Sequence, residues 1–384
     1  MTDRFQPLTI PERPASASVL QRRLTAGQAV IAIAVGVLSG AAAVYVHGRF
    51  GFFPAVASFF AMPLLFKLLA LIHEVGHVLA GGVVGMQLLA ISVGSWRWQR
   101  SKDGWQFGRV RSIKGIGGFA LMLPLDDKPC TLEQSIYTLG GPVANFVLAV
   151  VCASGANTRE ADDVVGQVLL LLAIMSAAIG AINLLPLQFN GWLSDGRRLW
   201  ALWRSLPEVH VNEHLLRLWR LSIAGVRPRD WPEFDALDAD DKRLPQSIAD
   251  GLRRTMISRS IDAGILDSPA TLAAVSALAT GFWQGPDGMR QMNAVALAMW
   301  EMVTRRDTTV AKAWLAEGEA ALIDQSCERA WVTAAIAAAQ GRLSEARNHI
   351  ATARARLVSV ADPGSQLMLT ELLHRLELEI AGPP

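Results

Sequence analysis

The chain has 384 residues, 51% hydrophobic and 18% charged, with a formal net charge of +2 and a mean hydropathy of +0.29. Soluble domains average about 25% charged residues, so the composition leans toward a membrane protein, and a charge so near balance singles out no polyanionic partner such as nucleic acid. Cys130, Cys152 and Cys327 are scattered without a CxxC pair, which excludes a disulfide framework and a cysteine zinc site.

The chain starts with MTDRFQPLTIPERPASASVLQRRLTAG, polar throughout, where a secretory signal would turn apolar at once. Residues 1–26 therefore read as a retained cytosolic tail. A helix needs about 20 apolar residues to cross the hydrocarbon core. Four segments qualify: 27–47, 52–85, 140–156, which is short, and 164–187. Lys and Arg accumulate on the cytoplasmic side of a membrane. Arg13, Arg22 and Arg23 precede the first span. Arg97, Arg100, Lys102, Arg109, Arg111, Lys114 and Lys128 lie between the second and third, and Arg197, Arg198 and Arg204 follow the fourth. The loop after the third span, NTREADDVV, is acidic. This pattern predicts a multi-pass protein with both termini cytoplasmic, in a bacterial cytoplasmic membrane.

Between the second and third spans, LLAISVGSWRWQR and WQFGRVRSI are rich in Val, Ile and Trp and flank the turn-forming SKDG. They predict a β-hairpin at the cytoplasmic interface, with Trp96, Trp98 and Trp105 near the headgroups. GIGGF at 115–119 lacks the strand–helix context of a phosphate loop and reads as tight turns. From about residue 200 the chain reads as soluble amphipathic helices. VAKAWLAEGEAAL and EARNHIATARARL align, with Ala311 and Ala346 about 35 residues apart, close to the tetratricopeptide (TPR) period of about 34. Gly341, Leu343, Ala346, Ile350 and Ala353 resemble the second half of that repeat. An ordinary helical bundle is the alternative. The expected fold is thus an α-helical integral membrane protein with about four transmembrane helices and a small interfacial β-hairpin, plus a C-terminal all-α soluble TPR-like domain. Its divisions are 1–26, 27–200 and 201–384.

LIHEVGHVLA, at 71–80, places ionisable groups inside an apolar run, where they are costly without a purpose. His73 and His77 are four apart on a helix and can share a metal, while Glu74 can take a proton from a metal-bound water, which is the mechanism behind HExxH. A polar packing cluster or a proton relay is the alternative. A catalytic zinc takes a third protein ligand, and Asp195 in NLLPLQFNGWLSDGRR is the available acid on the same side. Alone, an Asp-Gly after a helix reads as a turn or cap. A second zinc-like pattern, HVNEH at 210–214, lies in EVHVNEHLLRLWRL and reads as the wet face of an amphipathic helix.

Over about residues 65–200 these elements resemble the site-2 protease group of intramembrane zinc metallopeptidases, peptidase family M50. HEVGH matches its HExxH, and the hairpin with IKGIGGF looks like its strand-rich loop. GGPVANFVLA resembles its GxxxN element through Gly141 and Asn145. NLLP followed by SDG resembles its Asn-Pro-Asp-Gly element through Asn183, Pro186, Asp195 and Gly196. The gap from Pro186 to Asp195 is longer than in the commonest pattern, and no PDZ or CBS domain is evident. The resemblance implies that His73, His77 and Asp195 hold Zn²⁺ and that Glu74 is the general base. Asn145 or Asn183 would donate to an oxyanion or to substrate backbone. Close helix packing for Asn145 and helix termination for Asn183 are the structural alternatives. The hairpin would hold substrate by strand addition or anchor at headgroups.

The expected function is hydrolysis of a peptide bond in or near a membrane-spanning segment of a membrane protein, in the lipid bilayer. The C-terminal helical domain would recruit a protein partner, present substrate or gate access. A non-catalytic membrane adaptor of the same fold is the rival, disfavoured because a purely structural metal needs no base such as Glu74. A zinc or proton transporter would want polar groups along a whole path, and spans one and three offer few.

Overall fold

The computed structural model describes residue 5, residues 8–13, residue 44, and then 52–101, 104–110, 117–125, 131–160, 163–189, 191–232, 241–318 and 322–382. The expected first span at 27–47 therefore lies outside the described residues, apart from Val44, as do Lys102, Arg111, Lys114 and Lys128.

Three long helices build the apolar half: α1 (Phe52–Val83), α2 (Thr131–Asn157) and α3 (Val164–Leu184). Each contains a stretch long and apolar enough to cross a membrane, Pro63–Val83, Thr131–Asn157 and Val164–Leu184, and only 28–39% of those windows is buried within the chain. Val147, Val150, Val151, Val164 and Val168 point outward, a surface that suits hydrocarbon and not water. The span expected at 140–156 is longer than its apolar run suggested. TLEQSIYTL, polar by composition, forms the first two turns of α2 with Ser135 and Thr138 bonded back to Thr131 O and Gln134 O. Asp163 caps α3 by accepting from Val165 N at 3.0 Å, and the helix stops at Leu184, just before Pro186. α1 and α2 cross backbone to backbone: a Cβ on Gly76 would lie 2.4 Å from Gly140 O, and a Cβ on Gly140 2.4 Å from Gly76 O.

The expected hairpin is half of a larger element. β1 (Met86–Val93), β2 (Trp96–Ser101), β3 (Gly104–Arg109) and β4 (Gly118–Pro124) form one antiparallel sheet in the order β3-β2-β1-β4. Gly94, at φ +58°, makes the tight turn between β1 and β2. β2 alternates strictly: Trp96, Trp98 and Arg100 face out, while Arg97, Gln99 and Ser101 face in. Outward Trp96 and Trp98 pack on Phe107 with centroids 5.1 and 4.5 Å apart. Inward Gln99 reaches Ser359 O and Asp324 N, both at 3.4 Å, joining the sheet to the C-terminal helices. Tyr137 Oη donates to Ala120 O at 2.7 Å and ties α2 to β4.

After α3 a short hairpin, β5 (Gln188–Phe189) with β6 (Trp192–Leu193), leads into helices α4 (Asp195–Arg204), α5 (Pro207–Ile223), α6 (Gln246–Ala263), α7 (Pro269–Thr280), α8 (Met289–Thr304), α9 (Thr308–Glu317), α10 (Ser326–Ala339), α11 (Leu343–Arg356) and α12 (Pro363–Ala381). This region is all-helical. α8–α9 and α10–α11 are consecutive helical hairpins around one core that includes Trp300, Trp314, Leu297 and Leu369. Ala311 and Ala346, aligned in the sequence, are both fully buried, as small residues are at close helix crossings.

Candidate metal centre

His73 and His77 sit one turn apart on α1, with Glu74 between them, and all three are buried to 6–7% exposure. Their Nε2 atoms converge, 3.2 Å apart. Asp195 enters from the first turn of α4, its Oδ2 lying 3.0 Å from His73 Nε2 and 3.5 Å from His77 Nε2. One ligand atom from each of the three lies within 4.8 Å of the others, and this is the metal-competent cluster among the described residues.

The proton positions decide what this cluster can hold. His73 Nδ1 meets Asn145 Oδ1 at 2.7 Å. Ser176 Oγ donates to Asn145 O at 2.8 Å and accepts from Asn145 Nδ2 at 3.2 Å, which fixes the amide with its oxygen toward His73. His73 Nδ1 must therefore carry the proton. His77 Nδ1 lies 2.8 Å from Tyr137 O and 3.3 Å from Gly141 N. One nitrogen cannot donate and accept at once, and the shorter contact makes it a donor to the carbonyl. In both neutral rings Nε2 is then a bare lone pair. Two such lone pairs and a carboxylate facing one point repel unless a cation lies between them, so the donor set fits a zinc ion, with both histidines oriented from behind.

The small residues of the motif make room for this point. A Cβ on Gly141 would lie 2.5 Å from His77 Nε2 and 2.6 Å from His73 Nε2. A Cβ on Gly118 would lie 2.6 Å from Ser92 O and 2.9 Å from Glu74 Cγ, so this glycine of the GIGGF stretch lets β4 close over the Glu74 carboxylate. A Cβ on Gly196 would lie 1.9 Å from Leu184 O, so the glycine after Asp195 seats α4 against the end of α3.

The long gap from Pro186 to Asp195 also has a local explanation. Gly191, at φ +83°, turns β5 into β6, and the hairpin closes through Ser194 N to Leu187 O and Leu187 N to Ser194 Oγ, both at 3.0 Å. The extra residues leave and return to nearly the same place. Ser194 then caps α4, accepting from Arg197 N at 3.2 Å and donating to Leu185 O at 2.6 Å. Asp195 follows the cap at a helix N-terminus, where a carboxylate is favoured.

Asn145 is fully buried, with its side chain committed to His73 and Ser176. Asn183 is turned back along its own helix, donating to Ile179 O at 3.1 Å. In HVNEH, His210 is exposed and, among the described residues, meets Glu213 at 3.8 Å. Sequence reasoning missed Ser176, Ser194 and the Tyr137 carbonyl. Ser176 was the visible one, a hydroxyl inside the apolar run LLLLAIMSAAIG.

No curated protein and no solved structure matches the chain significantly. The sequence profile of Peptidase family M50 matches residues 60–159, about a quarter of the chain; that segment contains HEVGH, the four-stranded sheet and the Gly141–Asn145 turn of α2. Over those residues the chain matches a family of membrane metallopeptidases, and His73, His77 and Asp195 together form a group able to hold a metal ion.

Proposed function

We propose that this chain is a zinc-dependent intramembrane protease that hydrolyses a peptide bond in or near a membrane-spanning segment. The observation that carries the reading is the convergence of two Nδ1-protonated histidines and a carboxylate beside the buried Glu74, at the centre of three apolar helices. His73, His77 and Asp195 would hold the ion, which when bound supplies Lewis acidity toward a substrate carbonyl and toward water. Glu74, beside both histidines on α1, accepts the proton of the attacking water and returns it to the leaving amine. Asn145, with its amide committed, orients His73 and does not stabilise an oxyanion. Asn183 has one amide proton unspent and is the candidate donor to substrate backbone. β4, closed over Glu74 at Gly118, excludes bulk water from that side.

The N-terminal segment supports the expected topology. Residues 5 and 8–13 pack on the C-terminal helices, so both lie on one side of the membrane. α1, α2 and α3 make three crossings, and ends on one side require an even number. A fourth crossing in 14–51, where the sequence places the 27–47 span, satisfies this.

The test is zinc content and turnover of Glu74→Gln. The variant should bind about one zinc per chain and lose cleavage by roughly 10²–10⁴-fold, with membrane proteins accumulating uncleaved in cells that carry it. Unchanged cleavage, or loss of the metal itself, would refute the assignment.

A further inference from the structure

The chain's N-terminal segment lies in the C-terminal helical domain as a peptide lies in a receptor. Residues 8–13 form neither helix nor strand. Three side chains grip their main-chain carbonyls. Arg305 Nη1 donates to Phe5 O at 2.5 Å, Trp314 Nε1 to Leu8 O at 2.7 Å and Trp283 Nε1 to Pro11 O at 2.8 Å. The gripped carbonyls are three residues apart, which is the repeat of a polyproline-type helix, and the stretch FQPLTIPERP carries Pro7, Pro11 and Pro14. Apolar side chains enter beside them. Leu8 is 9% exposed within the domain core, Phe5 meets Trp300 edge-on at 6.1 Å, and Ile10 packs against the same core. The Arg13 guanidinium lies 5.2 Å from the Trp283 ring centre.

This division of labour is that of a peptide-recognition groove: side-chain N–H donors read the backbone, and apolar pockets take the side chains beside it. A segment that merely completes a core needs apolar contacts. It does not need two tryptophans and an arginine, supplied by α8, α9 and the turn after α7, aimed at three successive equivalent carbonyls. We propose that the C-terminal helical domain is a peptide-binding module for extended, proline-containing partner segments with apolar residues spaced as Phe5, Leu8 and Ile10 are, and that residue 5 and residues 8–13 occupy its groove in cis until such a partner segment displaces them. The inference is independent of the metal site.

The experiment uses the full chain in detergent and a fluorescent peptide, DRFQPLTIPERP, the sequence of residues 3–14. A tethered occupant acts at an effective concentration on the order of 1 mM, so the native chain should bind the peptide poorly. Phe5→Asp/Leu8→Asp empties the groove and should bind it at least tenfold more tightly than the native chain. Trp314→Phe in that background should weaken binding about fivefold, and a peptide with Asp at the Leu8 position should not bind. A folded double variant that binds no peptide overturns the proposal, as does equal binding to both chains, which would place the peptide elsewhere. If the double variant loses its cooperative melting transition, a protease site inserted between residues 16 and 17 takes its place. After cutting, exchange of the released segment for labelled peptide while the domain stays folded upholds the groove. Failure to exchange makes residue 5 and residues 8–13 a fixed part of the core and overturns it.

Discussion

Gly141→Ala puts a methyl group where the metal should be. The added carbon would lie 2.5 Å from His77 Nε2, 2.6 Å from His73 Nε2 and 2.7 Å from His73 Cε1, against an ordinary contact of 3.4 Å or more. Each ring must retreat by about 0.8–0.9 Å. Zinc–nitrogen bonds are about 2.0–2.1 Å with a tolerance of roughly 0.2 Å, so neither imidazole can keep its bond after such a shift. Disturbing the groups behind a ligand costs about 10–100-fold in metal affinity, and displacing two ligands outright should cost at least about 100-fold. The fold should survive, because the clash falls on side-chain ends and not on the α1–α2 backbone. Gly82→Ala on α1 is the control, since an added Cβ there meets nothing within 4 Å. The assay is zinc per chain at graded chelator concentrations, with circular dichroism melting to check folding. Retention of zinc by Gly141→Ala at native affinity would refute the placement of the ion between the two Nε2 atoms.

Three further outcomes are expected. Ser176→Ala releases the Asn145 amide and should weaken zinc binding about tenfold in chelator competition; native affinity would remove Ser176 from the chain of support. Replacing residues 188–193 by Gly-Gly should leave zinc bound, because Leu187 and Ser194 are already hydrogen-bonded across the hairpin, whereas loss of the metal would show that β5–β6 steers Asp195. Burial pushes the Glu328 carboxyl up to about 8, with Asp324 and Asp362 adding to the shift. The folded state then holds this proton more tightly than the unfolded chain does. The stabilisation is full below the unfolded value of about 4.5 and is lost as pH rises through about 8, a swing on the order of several kcal/mol. Glu328→Gln should flatten the thermal-unfolding profile over that window, and parallel profiles would refute the assignment.

Much of the site was legible because its chemistry is local or its spacing is strict. His73, Glu74 and His77 share one helical turn, and Gly141 with Asn145 share the next helix. What stayed hidden depends on contacts that no periodicity encodes. The acceptor for His77 is the Tyr137 main-chain carbonyl, which any residue type would supply. The sheet doubled in size because the expected first strand folds back at Gly94 into β1 and β2, and because β4 pairs with β1, a long-range register with no local mark. Asn183 read as a site residue by its place in NLLP, and its amide donates to Ile179 O one turn back on its own helix, a local bond that the motif does not announce. The polar opening of the chain read as a free tail because Leu8, Ile10 and Phe5 are too few and too widely spaced to announce a buried segment.

The glycine-to-glycine crossing of α1 and α2 bears on how a substrate strand arrives. No gap wide enough for even a methyl group exists between Gly76 and Gly140, so nothing threads between the two helices at that crossing. At the level of His77 and Gly141, the neighbours of those two glycines, the α1–α2 seam is closed. With β4 also closed over Glu74 at Gly118, under the proposed function a substrate strand would have to reach Glu74 by a route other than these two contacts. Such a route would leave the packed α1–α2 seam intact, with no need to part the two helices or let lipid between them.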